Sequence, residues 1–111
     1  MTKVPIDLSL RIRPVSTHRF EDVVERLTQV SLPRFFSVLS PGDSIWQSEV
    51  LLEVVCTSGV RNARVVRMNR ASDSGIHSLP PEKIELSPEE VPTLGNVEVS
   101  EDSTLQTRTP F

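Results

Sequence analysis

The residues equipped for covalent or metal chemistry are few: one cysteine, Cys56, and two histidines, His18 and His77, with neither histidine close in sequence to the other or to the cysteine. A metal site needs several His, Cys or carboxylate ligands at short, regular spacing, and that pattern is missing. Cys56, His77 and Asp73 are the residue types of a nucleophile, a base and an orienting acid. Cys56, however, ends the apolar run EVLLEVVC, where a thiol is expected to be buried and inert, and His77 falls in a loop. His18 stands just ahead of a helical pattern and reads as a helix-start residue. The sequence contains no nucleophile elbow, phosphate-binding glycine loop or zincin motif. The expectation is a protein without catalytic residues, metal or cofactor.

A different regularity runs through GVRNARVVRMNRAS, residues 59–72, where arginine recurs at every third position as Arg61, Arg64, Arg67 and Arg70. Guanidinium groups form forked hydrogen bonds to carboxylates and phosphates, so these four are the candidate partner-binding residues. Nucleic acid is the weaker of the two partners. The isoelectric point is about 5.3, no aromatic residue stands among the arginines for base stacking, and no recognition helix can be drawn through them. Coiled as a helix, Val60, Ala63, Val65, Val66 and Met68 would scatter around the wheel without a buried stripe, so the segment is expected to be a strand. Strict alternation then puts Arg64 on one face and Arg61 and Arg67 on the other.

The frame that holds these residues follows from length and periodicity. With 111 residues, 37% of them hydrophobic, the chain suffices for one domain with a modest core. No run of about 18 apolar residues suggests a membrane span, and MTKVPIDLSL lacks the layout of a signal peptide, so a soluble protein of a reducing compartment is expected. Charge divides unevenly. Residues 1–70 hold ten Lys or Arg against seven Asp or Glu, and residues 71–111 hold two against eight.

In IDLSLRIRP, Ile6, Leu8, Leu10 and Ile12 alternate with polar residues, which predicts a half-buried strand closed by Pro14. HRFEDVVERLTQVS spaces Phe20, Val23, Val24, Leu27 and Val30 as one amphipathic helix, with Asp22 and Arg26 paired on its wet side. Pro33 is expected to end that helix by about Leu32. RFFSVL then reads as a short strand, SPGD as a turn, and SIWQSEVLLEVVC as a long strand with Val50, Leu52, Val54 and Cys56 on one side. TSGVRN is the expected hairpin loop, with Gly59 free to take a positive φ. KIEL is a closing strand with Ile84 and Leu86 inward. SPEEV carries a helix-start code in Ser87, Pro88 and Glu90, stopped within a turn by Pro92. Residues 1–91 are therefore read as one α+β domain and residues 92–111 as an acidic tail, flexible or ordered by a partner, with an edge strand at Asn96–Val99.

From Ser58 to Leu86 the chain reads SGVRNARVVRMNRASDSGIHSLPPEKIEL. This stretch, about a quarter of the chain, resembles the second half of the photosystem I reaction-centre subunit IV family. That family carries Ser-Gly, an arginine soon after, a Val-Val-Arg strand, Ser-Gly-Ile and a terminal Glu-Leu at similar distances. Arg61, Val65, Val66, Arg67, Ser74, Gly75, Ile76, Glu85 and Leu86 match it, and Arg70 stands where a lysine is common. The resemblance implies a small SH3-like barrel on the surface of a larger complex, docking an acidic electron carrier, with Arg61, Arg67 and Arg70 as docking charges.

The combined expectation is an α+β fold: a small antiparallel, barrel-like sheet, one amphipathic helix and an acidic tail. The expected function is that of a non-catalytic subunit that binds protein partners in a larger assembly. A viral or phage assembly component and a nucleic-acid-binding module are the alternatives.

Overall fold

In the computed structural model, which describes residues 2–73 and 79–101, the alternation that opens the chain extends into a strand of 13 residues, β1 (Thr2–Pro14). It is the centre of the fold. Val4, Ile6, Leu8, Leu10 and Ile12 all point to one side and are buried, each contributing about 1.5–3 kcal/mol relative to exposure. On one flank β1 pairs antiparallel with β3 (Val60–Arg70), and on the other it pairs parallel with β5 (Glu90–Glu101).

Two expectations are corrected here. The sheet is mixed rather than antiparallel, and its order β3-β1-β5 leaves it open, so it does not close into a barrel. Residues 92–101, which sequence assigned to the tail, form most of β5, with Pro92 tolerated because the strand is at an edge. Residues 102–111 lie outside the described residues.

One face of the sheet is covered by helices. α1 (Phe20–Arg26) passes into a π turn (Leu27–Ser31) and on into α2 (Leu32–Ser37). Pro33 therefore does not end the helix, and RFFSVL is not a strand: its first four residues complete α2. The π turn explains both: Leu32 N–H bonds to the Leu27 carbonyl five residues back, a wider turn that accommodates proline's missing donor. It also absorbs one extra residue. Val23, Leu27, Leu32 and Phe36, spaced by four, five and four, consequently stay on one buried stripe. The expected Asp22–Arg26 pair gives way to a tertiary contact, in which Arg26 donates to the Ser58 carbonyl at 2.6 Å.

SIWQSEVLLEVVC departs furthest from the expected strand. Only Ile45–Trp46 is extended, as β2, and Gln47–Val55 forms α3. The buried residues are Val50 and Val54, one helical turn apart, while Leu52 is 61% exposed and Cys56 is exposed rather than in the core. β-Branched residues lowered the local helix preference, but burial of the Val50–Val54 stripe against β3 prevails. TSGVRN accordingly joins a helix to a strand and is not a hairpin loop. Gly59 takes φ +97° as anticipated, and its carbonyl accepts from Val15 N–H at 2.9 Å. Beneath that loop the Ser31 and Thr57 hydroxyls, both buried, lie 2.8 Å apart, and Thr57 donates to the Glu53 carbonyl at 3.0 Å.

A second, two-stranded sheet pairs β2 with β4 (Lys83–Ile84). Ile84 and Leu86 are buried as the KIEL pattern requires, and Lys83 stands 4.7 Å over the Trp46 ring. The SPGD turn is closed by Asp43, which accepts from Ser40 N–H at 2.7 Å, and Gly42 N–H ties the turn to the Glu90 carbonyl. In SPEEV, Glu90 accepts from Ser87 N–H at 2.9 Å as a capping residue would, yet no helix follows, because Glu90 begins β5.

Candidate functional site

The face of the sheet opposite the helices, open among the described residues except around buried Asn69, gathers the arginines. Outward positions on β1 are Asp7, Ser9, Arg11 and Arg13, opposite Asn69, Arg67, Arg64 and Asn62 of β3 in register. Strict alternation could not place both Arg64 and Arg67 on this face. They share it because the register slips between Ser9 and Leu10: Ser9 pairs with Arg67, Leu10 with Val65, and Val66 is the extra residue of a β-bulge. Val65 is buried on one side of the bulge and Met68 on the other, so both halves of β3 keep an apolar face inward.

Arg11, Arg13, Arg64 and Arg67 thus form a basic patch on one face. Two of the four come from β1, and sequence reading missed them. The signal was present in LRIRP, whose alternation already put Arg11 and Arg13 opposite the buried Leu10 and Ile12. A shallow groove of about 240 Å³ runs between Arg11, Arg64, Val66, Leu79 and Pro80.

The other two sequence candidates are placed differently. Arg61 is exposed at a second register slip, between Arg13 and Pro14. Arg70 is engaged within the chain: its guanidinium meets both carboxylate oxygens of Glu90, at 3.1 and 3.3 Å, and donates to the Glu85 carbonyl at 2.7 Å. That pair holds the end of β3 to the start of β5. The Arg70 hydrogen bond, together with the Ser87 amide, holds the Glu90 carboxyl below the usual carboxylate range. Arg67 is steadied by Asn69, whose Oδ1 accepts from its Nε at 2.7 Å, while Asn69 Nδ2 donates to the Arg70 carbonyl at 2.7 Å.

The charge of the face changes across the sheet. On β5 the outward residues beside Ser9 and Arg11 are Glu98 and Ser100, and Ser9 Oγ donates to Glu98 at 3.4 Å. A bulge also interrupts β5, between the Ile6–Leu94 and Leu8–Val97 pairs, and Asp7 accepts the displaced Asn96 N–H at 2.8 Å. The open face is therefore basic from β1 to β3 and mildly acidic along β5.

No grouping for catalysis is assembled among the described residues. Cys56 sits at the C-cap of α3 on the surface, and His77 lies outside the described residues. His18 precedes α1, its Nδ1 3.2 Å from Thr17 Oγ1. Among the described residues no group of three His, Cys, Asp or Glu could hold a metal ion, and no helix is long and apolar enough to cross a membrane. No family model matches the chain, and no curated protein gives a significant match to it.

Proposed function

We propose that this chain is a non-catalytic binding module that docks an acidic protein surface on the open face of its sheet. The observation that carries this reading is the convergence of Arg11, Arg13, Arg64 and Arg67 on the face opposite the helices, with Arg64 and Arg67 brought together by the bulge at Val66. Arginines at such a face steer an oppositely charged partner and fix its orientation by forked carboxylate contacts. Among the described residues the face carries no aromatic side chain on which a base could stack, which favours carboxylates over single-stranded nucleic acid as the ligand. Docking of an acidic electron carrier at a photosystem is the narrower form of this proposal. It is supported by the resemblance of residues 58–86 and by no feature of the sheet.

The test uses the full chain and poly-L-glutamate as the acidic probe. Binding at low salt is expected to weaken steeply as ionic strength brings the screening length to about 8 Å near physiological salt. The triple variant Arg11→Glu, Arg64→Glu, Arg67→Glu should lose it while keeping the native circular dichroism spectrum. Undiminished binding by that variant would refute the proposal.

A further inference from the structure

The helix layer has an apolar outer side where α2 and α3 lie next to each other. Val50 and Val54 are buried toward β3, so the opposite side of α3 carries Ser48, Leu52 and Cys56, one line of residues spaced by four and all exposed. Phe35, Val38, Leu39 and Leu52 line an open groove of about 430 Å³ between the two helices. Val38, the C-cap of α2, is 73% exposed, so with Leu52 the groove holds a contiguous apolar surface rather than a stray side chain. Its two ends differ in charge. Arg34 Nη2 donates to Glu53 at 3.1 Å, which sets the start of α2 beside the end of α3, so the two helices run antiparallel. Glu53 takes one nitrogen of Arg34 and leaves that side chain 66% exposed, with donors for a second carboxylate. Glu49 stands exposed at the other end, lining the groove with Val38 and Leu39.

We infer that this groove closes against the same groove of a second copy of the chain, about a two-fold axis that crosses α3 at Leu52. One register satisfies every contact. α3 lies antiparallel to its counterpart, Leu52 meets Leu52 on the axis, and Ser48 meets Cys56 at each end, four residues to either side. The same rotation carries the Glu49 end of one groove onto the Arg34 end of the other. Glu49 leans from α3 toward the α2 side, since it lines the groove, and so reaches the Arg34 guanidinium of the second copy, twice by symmetry. Val38, beside Glu49, is covered by the aliphatic stem of that arginine. Ser48 and Cys56 are small enough to let the helices approach, and they lie at the rim, where the thiol stays open to solvent. Charge selects a second copy as the occupant: an apolar groove that is acidic at one end and basic at the other is complementary to itself when reversed. The inference goes beyond the docking role and does not depend on it. The arginine faces, opposite the helices, point outward on both sides of the dimer and remain free.

Sedimentation of the full chain tests this directly. The mean mass is expected to rise with concentration and to level off at that of a dimer. Leu52→Glu sets two carboxylates against each other on the axis and should weaken association by more than about tenfold. The circular dichroism spectrum should not change, because the side chain is mostly exposed in the single chain. Glu49→Arg should weaken association by about two- to fivefold, as should added salt. Ser48→Cys tests the register. Under mild oxidation it should give a covalent dimer through Cys56 of the other copy. Wild type should not, because its two Cys56 residues would stand about 12 Å apart along the helices. Monomer mass at every concentration overturns the inference, whatever else then covers the groove. So does a dimer that Leu52→Glu leaves intact, or one that cross-links as fast through Cys56 alone as with Ser48→Cys.

Discussion

Replacing Gly59 by alanine tests the junction that delivers β3 to the sheet, and its sign is unusual. At a compatible backbone position Gly→Ala stabilises a protein by about 0.4–1 kcal/mol, because it narrows the unfolded ensemble. Gly59 is not compatible. Its φ of +97° lies where L side chains are strained, at a cost of about 1 kcal/mol or more. A Cβ there would also stand 2.8 Å from Val23 Cγ2 and 2.9 Å from His18 Cδ2. Val23 is fully buried and has no room to withdraw, so overpacking adds about 1–3 kcal/mol. The expected loss is about 2–4 kcal/mol, a large part of the 5–15 kcal/mol typical of a domain, and a fall in melting midpoint of about 8–16 °C. Urea titration followed by circular dichroism measures it. In a Val23→Ala background the steric part should shrink and the backbone part remain, giving a coupling of about 1 kcal/mol in a double-mutant cycle. A neutral or stabilising Gly59→Ala would refute both the left-handed geometry and the close packing of α1 beneath the loop.

Other substitutions probe the remaining joints. Gly95→Ala would push a Cβ into the Asp7 carboxylate and to 3.0 Å from the Ile6 carbonyl, so it should cost about 1–3 kcal/mol, with Asp7→Ala relieving part of the loss in a thermodynamic cycle. Glu90→Gln should flatten the acid limb of stability. The folded carboxyl titrates below its unfolded value, so wild type holds this contribution above the unfolded pKa, near 4.3 in model peptides, and loses it as pH falls through the folded one; the variant has nothing to lose in that window. Cys56 should react fully with a thiol reagent in the native protein, at a rate close to that of the unfolded chain; protection by orders of magnitude would restore the buried-thiol expectation.

What the sequence revealed, and what it concealed, follows from how local each decision is. β1 was legible because every second residue from Val4 to Ile12 is apolar and buried, a pattern no helix could satisfy. β3 was legible by elimination. Its face assignment was not, since a bulge is a property of two strands in register and leaves no mark in one of them. α3 misled because EVLLEVV alternates as well as it spirals, and only the absence of a neighbouring strand and the burial of Val50 and Val54 decide the matter. Pro33 misled for the converse reason: its effect on a helix depends on whether the preceding turn can widen, and Leu27–Ser31 does. β5 was legible only in part: the edge strand expected at Asn96–Val99 lies within it, but its full extent from Glu90 was hidden because its apolar residues are mostly half-buried and its pairing partner, β1, lies almost ninety residues away.

The docking account is tested most directly by recording ¹H–¹⁵N spectra of the full chain while poly-L-glutamate is added at low salt. Shifts are expected at the Arg11, Arg13, Arg64 and Arg67 side-chain Nε signals and at the amides of β1 and β3 that bear them, with α1 and α3 unmoved. Shifts confined to the helices, or none anywhere, would contradict the assignment of the open face as the binding surface.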